Sequence, residues 1–396
     1  METSSKYARR GALFGLVAAA STGAGQTFFI GLFGAEFRAE FALTDASLGL
    51  MYGVATLAAG SMMFWLGGLA DRLALSRAVT LSVLLVAGGA LLVATAHAAA
   101  ALIVGLFLLR LGGQGLTGHF AIVAAARYAS GARRGRGVAT ASLGFILSEA
   151  LYPILVVAAL GIWDWRTVWL IVALVLAIIF VPVLRSIARP LPLPAAAPAA
   201  SGPAVVDWTR GALLRSPTFL GALGVVLVSP LLATAVFFHQ AALGERLGWS
   251  ASSVAYAFML FAACQAGATI VSGRLIDIIG ARALMRYYLL PLALGLMSLF
   301  TFAPATALWM LFAGIGFTAG ANSVVAGAVW VELFGSGQLG MIRGVYAALM
   351  VISTAVSPAI LGALLSADFS LTAIFVPAIA YIVIVPWLLA PMTRPA

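Results

Sequence analysis

The segment LRLGGQGLTGH, residues 109–119, sets Gly113, Gly115 and Gly118 in the G-x-G-x-x-G spacing of a dinucleotide-binding loop. Whether that spacing opens an α/β nucleotide domain decides the fold. A fingerprint of that kind follows a strand, opens a helix and has an acidic residue about 20 positions on. Here the segment lies inside an apolar run from Ala98 to Ala126, and the next acidic residue is Glu149. The glycines therefore belong to a membrane helix. Gly113, Thr117, Ala121 and Ala125 are expected to form a stripe of small residues that lets a neighbouring helix approach closely.

Working outward, the whole chain is apolar. Hydrophobic residues make up 63% of its 396 positions and charged residues 9%, and the mean hydropathy of +1.11 is far above that of a soluble domain. Long runs such as TLSVLLVAGGALLVATA (80–96) show none of the alternation of a β-barrel strand. The expected fold class is an all-α integral membrane protein with 12 transmembrane helices. Spans 1 to 6 run Gly11–Gly34, Ala46–Ala70, Ala78–Ala96, Ala98–Ala126, Val138–Leu160 and Thr167–Leu184. Spans 7 to 12 run Thr218–Leu243, Ser252–Gly273, Ala283–Phe302, Ala305–Val331, Leu339–Leu365 and Leu371–Leu389. Each has the roughly 20 residues that a helix rising about 1.5 Å per residue needs to cross a bilayer core. The opening KYARRGALFGLVAAASTGAG has the basic start of a signal peptide, but its apolar run continues through TFFIGLFG and reads as span 1.

Charge sets the expected orientation. With the N-terminus cytoplasmic, Arg38, Arg166 and Arg246 alone fall on outer segments and Arg110 lies within span 4. The other 18 of the 22 Lys and Arg flank spans on the cytoplasmic side. Both termini are expected in the cytoplasm and the chain in the inner, cytoplasmic membrane. The same distribution accounts for a net charge of +10 and a pI near 10.5 by topology, so no nucleic-acid partner is expected. The lone Cys264 excludes an internal disulfide and a cysteine-rich metal site.

The chain reads as two halves. An N-terminal six-helix bundle (1–185) is followed by a proline- and alanine-rich cytoplasmic linker (186–217) and a C-terminal six-helix bundle (218–396). Within the linker, VVDWTRGALLRSP is expected to form a short interfacial helix with Trp208, Leu213 and Leu214 toward lipid. Shifting by 206 positions lays residues 43–53 on 249–259, Gly67 on Gly273 and Asp71 on Asp277. Parallel six-helix repeats are a transporter arrangement, with the site near the midplane.

GGLADRLALSR (67–77) resembles the loop 2–3 signature of the major facilitator superfamily, G-x-L-A-D-R-x-G-R-R/K, although Ala74 and Leu75 replace the usual glycine and arginine. SGRLIDIIGAR (272–282) is similar at the equivalent place in the second half. The resemblance covers the whole chain and implies a fold of two pseudo-symmetric bundles. It also implies that Asp71 and Asp277 cap the starts of spans 11 and 5, with Arg72, Arg127, Arg282 and Arg343 completing a cytoplasmic gate. A charge cluster that serves topology alone is the alternative.

Placing a charged side chain at mid-bilayer costs roughly 2.5–3.5 kcal/mol on insertion scales, so such residues mark function. Arg110 and Glu149 qualify, offset by about 7–8 Å in depth at 1.5 Å per residue, with His119 on the cytoplasmic side of both. A ladder Arg110, Glu149, His119 is expected, with Glu149 as a proton carrier whose pKa moves as its partner changes. A static pair that staples spans 4 and 5 is the alternative. Arg110 also matches the superfamily's span 4 arginine, with the glutamine and glycines that follow it in a slightly shifted pattern. Because spans 1, 4, 7 and 10 line the cavity in the superfamily, Gln26, Thr27, Gln114, His239, Gln240 and Asn322, together with Gln265 of span 8, are the expected substrate-facing polar groups. Each has as its alternative a hydrogen bond to a neighbouring helix, worth about 0.6 kcal/mol on average.

There is no G-x-x-x-x-G-K-[ST], H-E-x-x-H or G-x-S-x-G, and the three histidines lack metal-ligand spacing, so no cofactor, metal or enzymatic activity is expected. Residues 127–153 resemble the matching segment of bacterial monocarboxylate and oxalate/formate carriers, a basic loop followed by G-x-x-x-x-E. The span 8 arginine of that group has no counterpart, since Arg274 lies at the cytoplasmic end. The expectation is therefore a lipid-embedded, monomeric, proton-coupled secondary transporter of a small organic solute, with a monocarboxylate or other organic anion held by Arg110 and His239. Proton-driven efflux of amphipathic compounds is the competing reading, and a non-transporting sensor or scaffold on the same fold is the third.

Overall fold

The computed structural model describes residues 2–128, 132–192, 208–335 and 338–389. The side chains of Asp71, Arg133 and Arg134, and all of Arg394, lie outside the described residues. The described chain is helical and contains no strand. It divides into two compact units, Met1–Pro198 and Ala199–Ala396, each carrying six spans. Among the described residues, ten helices are long and apolar enough to cross a membrane. Of the other two spans, span 1 is a 20-residue helix, Glu2–Ser21, followed by four short pieces up to Phe41, and span 9 keeps a helix of 12 residues, Leu290–Thr301.

Capping residues place many of the helix starts. Thr44 opens span 2 with a capping box closed by Ser47. Ser216 and Ser250 accept backbone amides at the starts of spans 7 and 8. Asp164 opens span 6, where the Thr167 hydroxyl and the amides of Thr167 and Arg166 hold its carboxyl below the usual carboxylate range. The internal repeat extends to these details. The shift of 206 lays Thr44 on Ser250, and it lays Ala42 (φ 51°) on Gly248 (φ 69°), the left-handed residues that end the helices Gly34–Phe41 and Gln240–Leu247.

Small residues set the packing within each unit. A Cβ at Gly316 or Gly320 of span 10 would collide with the Phe261 or Gln265 carbonyl of span 8, and one at Gly144 of span 5 with the Leu16 carbonyl of span 1. Backbones touch at these points, as small-xxx-small interfaces allow. The three arginines expected on the outer side are each neutralised within their own unit. Arg38 pairs with Asp45 at 2.6 Å, Arg166 with Glu40 at 2.6 Å and Arg246 with Asp368 at 3.3 Å. Arg166 also donates to the carbonyls of Ala94 and Ala96, and Arg246 to those of Leu365 and Phe369, so each caps a helix C-terminus.

The short helix before span 7 is Arg210–Arg215, and it departs from the expectation of a lipid-facing stripe. Leu213 is fully buried, and Trp208 stacks edge-on against Phe334 while its amide donates to Gln338. Leu214 alone of the three is exposed.

An alanine in the left-handed region carries a Cβ clash of roughly 1–2 kcal/mol that glycine avoids. Ala42→Gly is therefore expected to raise the unfolding temperature of the detergent-solubilised protein and Gly248→Ala to lower it. Shifts of the same sign for both would refute the backbone account.

Candidate functional site

Span 1 breaks at STGAGQT, residues 21–27. The Ser21 and Thr22 hydroxyls bond back to the Ala18 and Ala19 carbonyls, and two glycines follow with low helix propensity. A short 3-10 turn covers Gly23–Gly25, and Gln26 is extended (φ −91°, ψ 154°). An extended residue deprives the carbonyls before it of their partners one turn on, and in a bilayer no water replaces them. Donors from neighbouring spans fill two of these positions. Tyr152 of span 5 donates to the Ala20 carbonyl at 2.8 Å, and Arg110 of span 4 donates through Nη1 to the Gly25 carbonyl at 3.0 Å.

Arg110 is 3% exposed. Its Nε donates to Thr56 Oγ1 of span 2 at 3.2 Å, and its guanidinium lies 5.2 Å from the ring centre of Tyr52, one helical turn from Thr56. The Tyr52 hydroxyl is in turn 2.5 Å from the Thr27 hydroxyl of span 1. The expected ion pair with Glu149 is replaced by this set. Among the described residues, the hydrogen-bond acceptors of Arg110 are a hydroxyl and a carbonyl, and its third neighbour is an aromatic face. The break in span 1 brings a carbonyl within reach of the cation, which the sequence-based expectation of a continuous helix did not allow. Glu149 is half-buried with one carboxylate oxygen sealed from solvent, and His119 packs near Phe120.

The glycine-rich segment takes an unusual form. Residues Arg110–Thr117 form a π-helix between two α-helical pieces, Ala99–Leu109 and Gly118–Arg127. A π turn bonds i to i+5 and so holds one more residue than an α turn, and such bulges concentrate at functional sites. The π segment splits the expected stripe of small residues. A Cβ at Gly113 would press on Gly25 of span 1, one at Gly112 on the Ser82 carbonyl of span 3, and one at Gly115 on Met63 of span 2. Thr117 bonds to Ser82 of span 3 at 2.9 Å, while Ala121 and Ala125 face Gly15 of span 1. Gln114 lies within the π segment, and its Oε1 is buried with no hydrogen bond among the described residues.

In the second unit, His239 ends the helix Val228–Phe238, is 2% exposed, and places Nε2 2.8 Å from the Pro358 carbonyl of span 11. A carbonyl only accepts, so Nε2 carries the proton. Buried Gln240 follows His239 in the chain. The Asn322 amide oxygen lies 3.0 Å from the Tyr288 hydroxyl, which also reaches the Val225 carbonyl at 3.0 Å. One hydroxyl proton serves one acceptor, and turning the amide over lets its NH2 satisfy the hydroxyl. Gln265 has a sealed Oε1 with no hydrogen bond among the described residues, and its backbone carbonyl accepts from Thr269.

Of the gate residues, Arg72, Asp277 and Arg343 are exposed and Arg127 is half-buried beside Tyr128. The cap seen in this region comes from a residue the sequence reading passed over. Glu332 of span 10 accepts the amides of Ala281 at 2.7 Å and Arg282 at 3.2 Å, beside Gly280 at φ 82°. Tyr52, Thr56 and Tyr152 were missed as well. Tyr52 and Thr56 stand four residues apart in an otherwise apolar helix, and that i, i+4 polar face was the available signal.

The profile of the Major Facilitator Superfamily matches the chain twice, over residues 15–244 and 225–396. The chain belongs to that superfamily. Its members are transporters, so the protein is a transporter and not an enzyme. Two solved facilitator structures illustrate the likeness. A bacterial homolog of the human lysosomal transporter Spinster, in an inward-facing and unoccupied conformation, aligns with a TM-score of 0.67 at 16% identity, covering 98% of this chain and 94% of that one. The nucleoside transporter NupG aligns with a TM-score of 0.68 at 16% identity, covering 98% of this chain and 100% of that one. At these identities the likeness is one of fold. Comparison with curated protein sequences returns no match.

In this facilitator the Thr56 hydroxyl has a single role, to satisfy the buried cation. Thr56→Val keeps the shape and leaves Nε without its acceptor, a loss of roughly 1–3 kcal/mol. Thermal unfolding in detergent is expected to fall for Thr56→Val and to be restored in Thr56→Ser. Equal unfolding temperatures for all three would remove Thr56 from the site.

Proposed function

We propose that the protein is a secondary active transporter that moves a small organic anion, in the size class of a monocarboxylate, by alternating access, with Arg110 as the anion-binding residue. The observation that carries this reading is the set of neutral partners around Arg110. Thr56, Gly25 and Tyr52 satisfy its hydrogen-bonding geometry and leave its charge uncompensated within the described residues. At an effective dielectric near 20, a carboxylate drawn to within about 4 Å of such a cation gains about 4 kcal/mol of Coulomb energy. The Tyr52 and Thr27 hydroxyls beside it offer a hydrogen bond to the second carboxylate oxygen.

Glu149 is the proposed proton carrier, since a half-buried carboxylate gains a proton when its surroundings dry and loses it when they wet. His119, Gln26, Gln114, Gln240, Gln265 and Asn322 are assigned as polar groups of the transport path. His239 is assigned a mainly structural role because its Nε2 faces the Pro358 carbonyl. The charge distribution supports a cytoplasmic-membrane location with both termini inside. Each arginine on the proposed outer side has a carboxylate beside it, so the outer loops carry little unpaired positive charge.

Counterflow in proteoliposomes tests the reading, with labelled one- to four-carbon carboxylates, nucleosides and lipophilic cations as the panel. Wild type is expected to exchange a carboxylate, and Arg110→Gln to lose about a hundredfold in kcat/KM, in keeping with the roughly 2–5 kcal/mol that one side of a buried charge pair is worth. Exchange of a cation or neutral solute that is indifferent to Arg110→Gln would overturn it. Uptake by Glu149→Gln is expected to lose its dependence on a pH gradient. Retained dependence would move the proton elsewhere.

A further inference from the structure

The first unit holds a cavity of about 340 Å³ beside the span 1 break. Its floor is Ser21, Ala24 and Phe29 of span 1, and its walls are spans 5 and 6. That volume lies within the roughly 300–1,000 Å³ of small-ligand sites. The walls are apolar, and the two lining hydroxyls are already committed: Ser21 donates to the Ala18 carbonyl at 2.7 Å and Tyr152 to the Ala20 carbonyl at 2.8 Å. A hydrophilic solute would give up its water here with nothing in return. The transported anion does not belong in this space.

Dimensions and surroundings identify an occupant. The span 6 wall extends from Val168 to Phe180, about 18 Å at 1.5 Å per residue, close to the roughly 15 Å of one leaflet in a 30 Å hydrocarbon core. At one end stands Trp163, 46% exposed and followed by Asp164, Trp165 and Arg166, the amphipathic and charged residues of a membrane–water boundary. At the other end span 6 leaves the α-helical path in a second π turn, Leu176–Phe180, whose first and last residues line the cavity. The neighbouring surface faces hydrocarbon, since Leu155, Ile178 and Ile179 are all more than half exposed.

We propose that this cavity binds one acyl chain of a membrane lipid from the leaflet on the Trp163 side, headgroup at Trp163 and chain running along span 6 to the π turn. The chain packs against Ser21 and Ala24, while the next residue, Gly25, takes the hydrogen bond of Arg110. The lipid and the guanidinium thus both bear on the break in span 1.

Photolabelling of the reconstituted full-length protein tests this. The probe is a trace of phosphatidylethanolamine with a diazirine midway along one acyl chain, in vesicles of phosphatidylethanolamine and phosphatidylglycerol. Label is expected to concentrate on peptides covering residues 152–159 and 168–180. Val172→Trp, which fills the cavity, is expected to lower that labelling by about tenfold, a loss of about 1.4 kcal/mol of binding, with labelling at the exposed Leu81 and Leu84 of span 3 unchanged. Val172→Ala, which leaves room, is expected to keep it, and this separates occlusion from misfolding. Label spread evenly over the exposed spans and insensitive to Val172→Trp would mean annular lipid only and overturn the proposal. No transport is measured, so failure of the anion reading leaves this test intact.

Discussion

The hydrogen bond from Arg110 to the Gly25 carbonyl is the contact on which the first unit depends. A membrane span cannot leave a carbonyl bare, and a guanidinium cannot sit at mid-span without acceptors. The break in span 1 creates the first problem and Arg110 the second, and each answers the other. A hydrogen bond to a charged group is worth roughly 1.5–3 kcal/mol, and a desolvated cation over an aromatic ring about 2. With Thr56 and Tyr52 added, those magnitudes match the insertion cost of the arginine. The glycines follow from this contact. Gly25 and Gly113 must be bare for span 4 to come close enough to span 1 for the bond to form.

Much of this was legible in the sequence, and the rest was hidden for identifiable reasons. Apolar run length and the 206-residue repeat revealed the architecture, because hydropathy is a local property. Span 1 is broken, span 9 is short, span 7 is split at Leu227 and spans 4 and 6 carry π turns, since run length reports hydrophobicity and says little about backbone path. The partner of Arg110 was misassigned for the same reason. Depth counting assumes straight helices, and on that assumption Glu149 was the nearest acceptor, whereas the break and the π segment turn a backbone carbonyl toward the cation. Tyr52 and Thr56 carried a readable i, i+4 signal. The π turn at Leu176–Phe180 had one too, since Pro182 has no N–H for the Ile178 carbonyl and interrupts the α-helical ladder there.

Losing the Arg110–Glu149 pair changes the functional argument more than any other finding. A neutralised arginine argues for a structural staple, whereas one with neutral partners keeps its field for a ligand. An anion that draws on Arg110 competes with the Gly25 carbonyl for the same donors, so substrate binding and the geometry of span 1 are physically linked. The proposed acyl-chain pocket is floored by Ser21, Ala24 and Phe29 of the same span. Substrate and lipid would then act on one seven-residue element.

Hydrogen–deuterium exchange over residues 20–30 tests the central claim most directly, by comparing wild type with Arg110→Met in the same detergent. If Arg110 holds the break, amides after Thr22 exchange faster in the variant while those of span 8 are unchanged. Identical protection in the two proteins would show that the break stands without the arginine and would contradict the account.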